Sequence, residues 1–255
     1  MQNVASKTSW GGVADWYDEA VSRDGSYQKN LILPNLLRLL DIKRGKSILD
    51  VACGQGFFAR EFFKQGALVT GIDVSPELIN IAKEQSSSEI EFIISSADNM
   101  QKVKSDSIDN ATIVLALQNI DNIKKVFEEC SRVLKKNGKL FLILNHPAFR
   151  VPKNSSWGFD TKNKIQYRRI DRYLLEIKVP IQIHPGKNPK IQIVSFHRPI
   201  QYYFKLLANA GFCVSKMEEW ESKKKSMPGP RADAENTARK EFPLFLFLEA
   251  VKGLN

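Results

Sequence analysis

The hydrophobic rhythm of the chain changes twice. Between residues 47 and 145, short apolar runs alternate with stretches of helical periodicity, the pattern of successive βαβ units on a parallel sheet. SILDVA (47–52), LVTGID (68–73), IEFIIS (90–95), NATIVLAL (110–117) and KLFLILN (139–145) read as buried strands. Between them, FFAREFFKQG (57–66) has the period of a helix that Gly66 ends. Ser75 stands as the cap of a second helix, with Pro76 at its first position, where the missing N–H matters least. Residues 121–134 predict a third helix, and Gly138 turns the chain into the fifth strand.

On either side of this block the pattern differs. Residues 14–40 are mostly helical in period. Residues 146–198 read as loops with β-rich pieces, YRRIDRYLLEIKVPIQI (167–183) and KIQIVSF (190–196), which have the partial alternation of a small antiparallel sheet. A helix follows over 199–212, ended by Gly211, then a strand at 214–220. A Lys/Pro/Gly/Ala-rich connection (223–241) leads to a last apolar strand at 244–251. The α/β layer therefore resumes after residue 198, and 146–198 reads as an insertion within one domain spanning 1–255.

Composition narrows the picture without naming a chemistry. With 255 residues, 43% hydrophobic and including 15 Phe, the chain can bury one sizeable core. Residues 1–10 lack the apolar centre of a signal peptide, and the run 242–251 is broken by Pro243 and Glu249 and too short to span a bilayer. Three cysteines make no disulfide framework and show no metal-ligand spacing, so a reducing, cytoplasmic setting without a membrane partner is expected. The formal charge of +10 is concentrated: residues 150–190 hold ten Lys/Arg against three Asp/Glu, net +7. Such a segment suits nucleic acid, an acidic substrate or a solvated surface.

The stretch DVACGQGFFA (50–59) carries the candidate chemistry. Gly54, Gly56 and Ala59 follow G-x-G-x-x-[G/A], and Asp73 lies nineteen positions after Gly54 at the end of the next strand. Glycines let a backbone approach a nucleoside ligand, and an acid at that place binds ribose hydroxyls. Any ribose-bearing cofactor fits so far. Asp50 then weighs against a dinucleotide, because a carboxylate beside a pyrophosphate repels it and instead favours an ammonium or sulfonium. Asp98, just beyond the third strand, is placed to accept from an adenine amino group.

With these features the sequence resembles the class I S-adenosylmethionine-dependent methyltransferases of small-molecule type. The matching stretches are ILDVACGQG (48–56), VTGIDVSPELINIAKE (69–84), SSADNM (95–100), DSIDNATIVLALQNI (106–120) and CSRVLKKNGKLFLILN (130–145). The resemblance implies an α/β, Rossmann-like fold: a seven-stranded, mostly parallel sheet with helices on both faces and a small β-rich insertion after strand five. It implies that residues 1–45 form a helical lid, with Tyr17 near the cofactor, and that 146–198 bind substrate. It assigns S-adenosylmethionine to Asp50, Ala52, Gly54, Gly56, Asp73, Val74, Ala97, Asp98 and Gln118. Two departures stand out: Ala52 replaces a glycine usual in the family, and LQN (117–119) stands where many relatives have histidine or aromatic residues.

Methyl transfer from a sulfonium is a direct displacement, so positioning supplies much of the acceleration, and an N or O acceptor adds the need for a base. All three histidines, His146, His184 and His197, fall in the insertion; His146 and His197 are the candidate bases. Their spacings match no compact metal motif, and no metal is expected. Trp16, Tyr17, Tyr27, Trp157, Phe159, Tyr167 and Tyr173 are candidate walls of an acceptor pocket, and Cys53 reads as a small packed residue. On an apparent strand near 167–173, Arg168 and Arg172 share one face and Arg169 the other, which divides the cations. The reading favoured is methylation of a small molecule at an N, O or C atom. RNA methylation through the basic insertion and a non-catalytic cofactor-binding role are the alternatives.

Overall fold

The structure is a computed structural model that describes residues 23–182 and 192–253. Strands β1 (Ser47–Val51), β2 (Leu68–Asp73), β3 (Glu91–Ile94), β4 (Ile108–Val114) and β5 (Leu134–Asn145) form a parallel block. Two antiparallel hairpins follow, β6 (Ser155–Asp160) with β7 (Ile165–Ile170) and β8 (Ile177–Gln182) with β9 (Gln192–His197). The chain then returns to the main sheet as β10 (Phe212–Trp220) and β11 (Phe245–Lys252). The main sheet has seven strands in the order β3-β2-β1-β4-β5-β11-β10, with β11 antiparallel to both its neighbours. The expected α/β, mostly parallel sheet with an insertion after the fifth strand is thus the observed one.

Strand alternation builds a core on each face. Leu140, Leu142 and Leu144 point to one, with Leu246 and Leu248 beside them. Helices α4 (Ile123–Val133) and α5 (Ile200–Asn209) cover that face through Phe127, Val133, Tyr203 and Leu207. Phe141, Ile143, Phe245 and Phe247 point to the other, under α1 (Leu33–Leu40), α2 (Phe57–Lys64) and α3 (Pro76–Glu84). A sixth helix, α6 (Ala232–Glu241), packs against β7. Among the described residues no helix is long and apolar enough to cross a membrane.

Several boundaries differ from the sequence pattern. The fourth strand stops at Val114, because Leu115 adopts a left-handed φ of 52° and residues Leu117–Asn119 form a 3-10 turn. The fifth begins at Leu134, before Gly138, and absorbs Asn137 at φ 62° as an irregularity in its pairing. The strand proposed near 167–173 ends at Ile170, and Arg172 sits in the following turn at φ 57°, so it does not share a strand face with Arg168. The 223–241 connection holds a helix whose Ala, Glu, Arg and Lys residues have high helix propensity but almost no apolar stripe.

The described part of the 1–45 segment is packed against the sheet. Residues Gln28–Ile32 form a wide π-type turn that runs into α1, and Leu31, Ile32, Leu36 and Leu39 are buried. Tyr27 meets Phe245 edge-on and hydrogen-bonds Ser222 at 3.1 Å. Of the 16–27 stretch that carries the lid reading, residues 16–22 with Trp16 and Tyr17 lie outside the described residues, as does His184.

Candidate functional site

The loops leaving the C-terminal ends of β1 to β5 enclose a cleft of about 520 Å3, within the ~300–1,000 Å3 usual for small-molecule sites. Ala52 and Gly54 line it from the turn after β1, Asp73 and Val74 from the end of β2, and Ser96 and Ala97 from beyond β3. Leu115 and Gln118 line it after β4, and Asn145 ends β5 at its edge. Ile181, Ile193 and Val194 close it from the β8–β9 hairpin.

The turn after β1 is held in conformations that disfavour side chains. Ala52, Gly54 and Gly56 have φ of 56°, 58° and 80°. A left-handed Ala costs on the order of 1 kcal/mol, which gives a physical reason for glycine at that place in relatives. A Cβ on Gly56 would lie 2.8 Å from the Phe92 ring. Asp73 ties the turn to the next helix: one carboxylate oxygen accepts from Gly54 N–H and the other from Ser75 N–H, both at 2.9 Å. Asp73 is buried, and burial raises its pKa against the pull of those donors. Ser75 caps α3 by accepting from Leu78 N–H at 3.3 Å.

Asp50 is 2% exposed and does not line the cleft. One oxygen accepts from Thr112 Oγ1 at 3.0 Å; the other, Oδ2, is buried with no partner. Burial, followed by the neighbouring Asp73 charge, pushes its pKa up to about 7, against the Thr112 bond. Across the cleft, Gln118 donates to the Leu115 carbonyl, and its Oε1 is also buried and unpartnered. Leu115 is a bulky residue at positive φ, an outlier of the kind concentrated at binding sites. Arg198 fixes this floor: it is 4% exposed and donates to the carbonyls of Leu117, Ile120 and Asp121 at 3.3, 2.9 and 2.7 Å.

The cleft therefore gathers Ala52, Gly54, Asp73, Val74, Ala97 and Gln118 from the expected set. Gly56 shapes the turn from behind, Asp50 sits under it, and Asp98 accepts from Ser96 Oγ without reaching the cleft wall. Cys53 is packed beside Gly54 with its thiol pKa driven well up by burial, as a structural residue would be. Leu115, Asn145, Arg198 and the hairpin residues were missed. Apolar and amide residues carry no motif, and only the left-handed turn and the antiparallel return of β9 bring them in.

The two candidate histidines part company. His146 is 1% exposed; its Nε2 donates to Glu219 at 2.7 Å while Nδ1 accepts from Ala148 N–H at 3.2 Å. With both nitrogens engaged it is a tie between the end of β5 and β10, and it lines neither cavity. His197 lines a second cavity of about 270 Å3 that shares Gln118, Asn145, Ile181 and Ser195 with the cleft. Its Nε2 donates to the Tyr173 carbonyl at 2.7 Å, leaving Nδ1 as the basic nitrogen, and burial holds its pKa below the usual imidazole value. The aromatics Trp157, Phe159, Tyr167 and Tyr173 line neither cavity.

Comparison with known proteins agrees with this geometry. Residues 49–142 match the family model described as a methyltransferase domain. A ubiquinone biosynthesis O-methyltransferase of Xanthomonas oryzae pv. oryzae is 33% identical over 136 residues, 50% of this chain and 54% of that protein. Its namesake in Coxiella burnetii is 31% identical over 134 residues, 50% of this chain and 55% of that one. The chain thus matches about half the length of these curated relatives. Among solved structures, an S-adenosylmethionine-dependent methyltransferase of Mesorhizobium loti superposes with a TM-score of 0.69 at 26% identity, covering 89% of this chain and 99% of that one. Residues 49–142 thus match a methyltransferase domain, and over most of its length the chain is similar in fold to an S-adenosylmethionine-dependent methyltransferase.

Proposed function

We propose that the chain binds S-adenosylmethionine in the larger cleft and transfers its methyl group to a small-molecule acceptor at an oxygen atom. The observation that carries the reading is the cleft's polar inventory. A left-handed glycine turn, a strand-end carboxylate and the buried, unpartnered Gln118 Oε1 line it at the C-terminal edge of the sheet, with the unpartnered Asp50 Oδ2 buried behind the turn. An orphaned buried acceptor is costly, and a donor on a bound ligand would satisfy Gln118 Oε1, while the ligand's ammonium would act on Asp50 through its charge. When bound, the cofactor supplies a methyl group already activated by a sulfonium. Asp73 would hold the ribose hydroxyls, and Ala97 would stand beside the adenine. Gly54 allows the backbone approach, and Gln118 faces the methionine end. Oxygen as the receiving atom is favoured by the O-methyltransferase names of the curated relatives. His197 would take the acceptor's proton at Nδ1, within the smaller cavity.

Calorimetry with S-adenosylhomocysteine tests the cofactor assignment. Wild type should bind it, and Asp73→Ala should bind at least 100-fold more weakly. Two charge-assisted hydrogen bonds at about 1.5–3 kcal/mol each are removed, and the Gly54 and Ser75 N–H groups lose their acceptor. Tight NADH binding with no response to S-adenosylhomocysteine would overturn it.

A further inference from the structure

The smaller cavity is lined by four cations, Arg150, Lys153, Arg168 and Arg198, and by no carboxylate among the described residues. Arg198 is spent on backbone carbonyls. No carboxylate of the described residues pairs with the other three. Arg150 makes no side-chain hydrogen bond or ion pair with any described residue, and neither does Lys153. Arg168 donates through Nε to the Phe149 carbonyl at 2.9 Å and through one terminal nitrogen to Ser155 Oγ at 2.7 Å. Its guanidinium lies 5.0 Å from the centre of the Trp157 ring. That packing fixes Arg168 as a wall and leaves its second terminal nitrogen without a hydrogen bond to any described residue.

The charges also feel one another. Solvent reaches Arg150, yet protein surrounds its head closely enough for burial to pull its pKa down. Arg168 is lowered by burial first and then by the Arg150 charge. Two like charges held together in a recess that no described carboxylate lines repel each other, and an anion relieves both the repulsion and the lost hydration. Guanidinium forks present paired N–H groups matched to the oxygens of a carboxylate or phosphate.

We propose that this cavity is the anion subsite of the acceptor pocket: Arg150 and Arg168, with Lys153 at the side, bind a carboxylate or phosphate on the molecule to be methylated. The shared residues Gln118, Asn145 and Ser195 join this subsite to the cofactor cleft, so an acceptor anchored by its anion extends its nucleophile past His197 toward the cleft. The identification of the anion's bearer as the methyl acceptor rests on the function proposed above; the anion site itself does not.

The test uses the full chain and three probes: 4-hydroxybenzoate, phenyl phosphate and the neutral methyl 4-hydroxybenzoate. Binding is followed by ligand-observed NMR, with and without saturating S-adenosylhomocysteine. Both anions, or one of them, should bind and be displaced by excess inorganic phosphate, while the neutral ester binds at least tenfold more weakly. Arg150→Ala should weaken anion binding at least tenfold. It removes no hydrogen bond to a described residue, and Arg168→Lys serves as the second variant with charge kept and the fork lost. Selectivity between the two anions identifies carboxylate or phosphate as the group accommodated. Equal binding of the neutral ester, no binding of either anion to wild type, or unchanged affinity in Arg150→Ala would overturn the proposal. Anion binding by a protein that fails to bind S-adenosylhomocysteine would leave the subsite standing and remove the methyltransferase reading instead.

Discussion

Asp50 is the residue whose ionisation reports most directly on the site. Its ordinary carboxylate value of 3.8 is pushed up to about 7 by burial, so the folded protein holds a proton that the unfolded chain releases. Below about pH 4 both states are protonated and Asp50 costs nothing. Between about 4 and 7 stability falls as pH rises, and above that the full penalty, on the order of 4 kcal/mol, is present. Asp50→Asn keeps the shape and removes the charge. Its melting temperature should match wild type near pH 4 and exceed it by several degrees at pH 8. A bound cation stabilises the carboxylate, so S-adenosylhomocysteine, through its ammonium, should release protons near pH 7 from wild type and not from the variant. Calorimetry in buffers of different ionisation enthalpy reads this, and equal proton release from both proteins would exclude Asp50 as the cation's partner. His197 is tested by the same logic. Its lowered pKa keeps Nδ1 unprotonated at neutral pH, so kcat/KM should fall only on the acid side of the usual imidazole value. His197→Gln should lose about 100-fold or more and flatten that limb, whereas a merely structural histidine would lower stability and leave the profile's shape alone.

At the scale of elements, the turn between β1 and α2 depends on what Phe92 on β3 allows. An added Cβ at Gly56 would approach the Phe92 ring at 2.8 Å and sit at φ 80°, so Gly56→Ala combines overpacking with left-handed strain. A loss of about 2–4 kcal/mol is expected, seen as a lower denaturation midpoint, together with weaker S-adenosylhomocysteine binding. A variant with wild-type stability and affinity would mean that the turn is not held by this contact. The turn, the Ser75 cap and the alternating strands were legible in the sequence because each is a local rule, written within about ten residues. The contents of the cleft wall were not. Leu115 leaves the strand through a left-handed φ that its apolar neighbours conceal, and Arg198 reaches its carbonyls across about eighty positions. His146 looked like a base from its place at the end of β5. Only the position of Glu219 on β10 shows that both its nitrogens are taken. Helix α6 was hidden for the opposite reason, since its propensity is high and its apolar periodicity weak.

For the molecule as a whole, the question is what the +10 charge is for. The basic insertion is two separate hairpins, one packed on α6 and one walling the cleft, and its cations face different surroundings. Arg168 turns inward to Phe149 and Ser155; Arg169 pairs with Asp171 at 2.9 Å; Lys178 lies 3.7 Å from Asp121 and over the Phe196 ring. A surface that tracks a phosphate backbone needs its cations unpaired and aligned, because affinity comes from counter-ions released per phosphate neutralised. Here several are paired or turned into a pocket sized for one small ligand. Bulk RNA should therefore bind weakly at physiological salt, and raising the salt from 50 to 200 mM should abolish what binding there is. Arg169→Ala and Lys164→Ala, both on the exposed face of the β6–β7 hairpin, should reduce that residual binding without changing the affinity for S-adenosylhomocysteine. Filter binding with total tRNA and with unstructured RNA measures it. A submicromolar, structure-selective affinity that falls with these two substitutions would make the hairpins an RNA platform and replace the small acceptor with a nucleic acid.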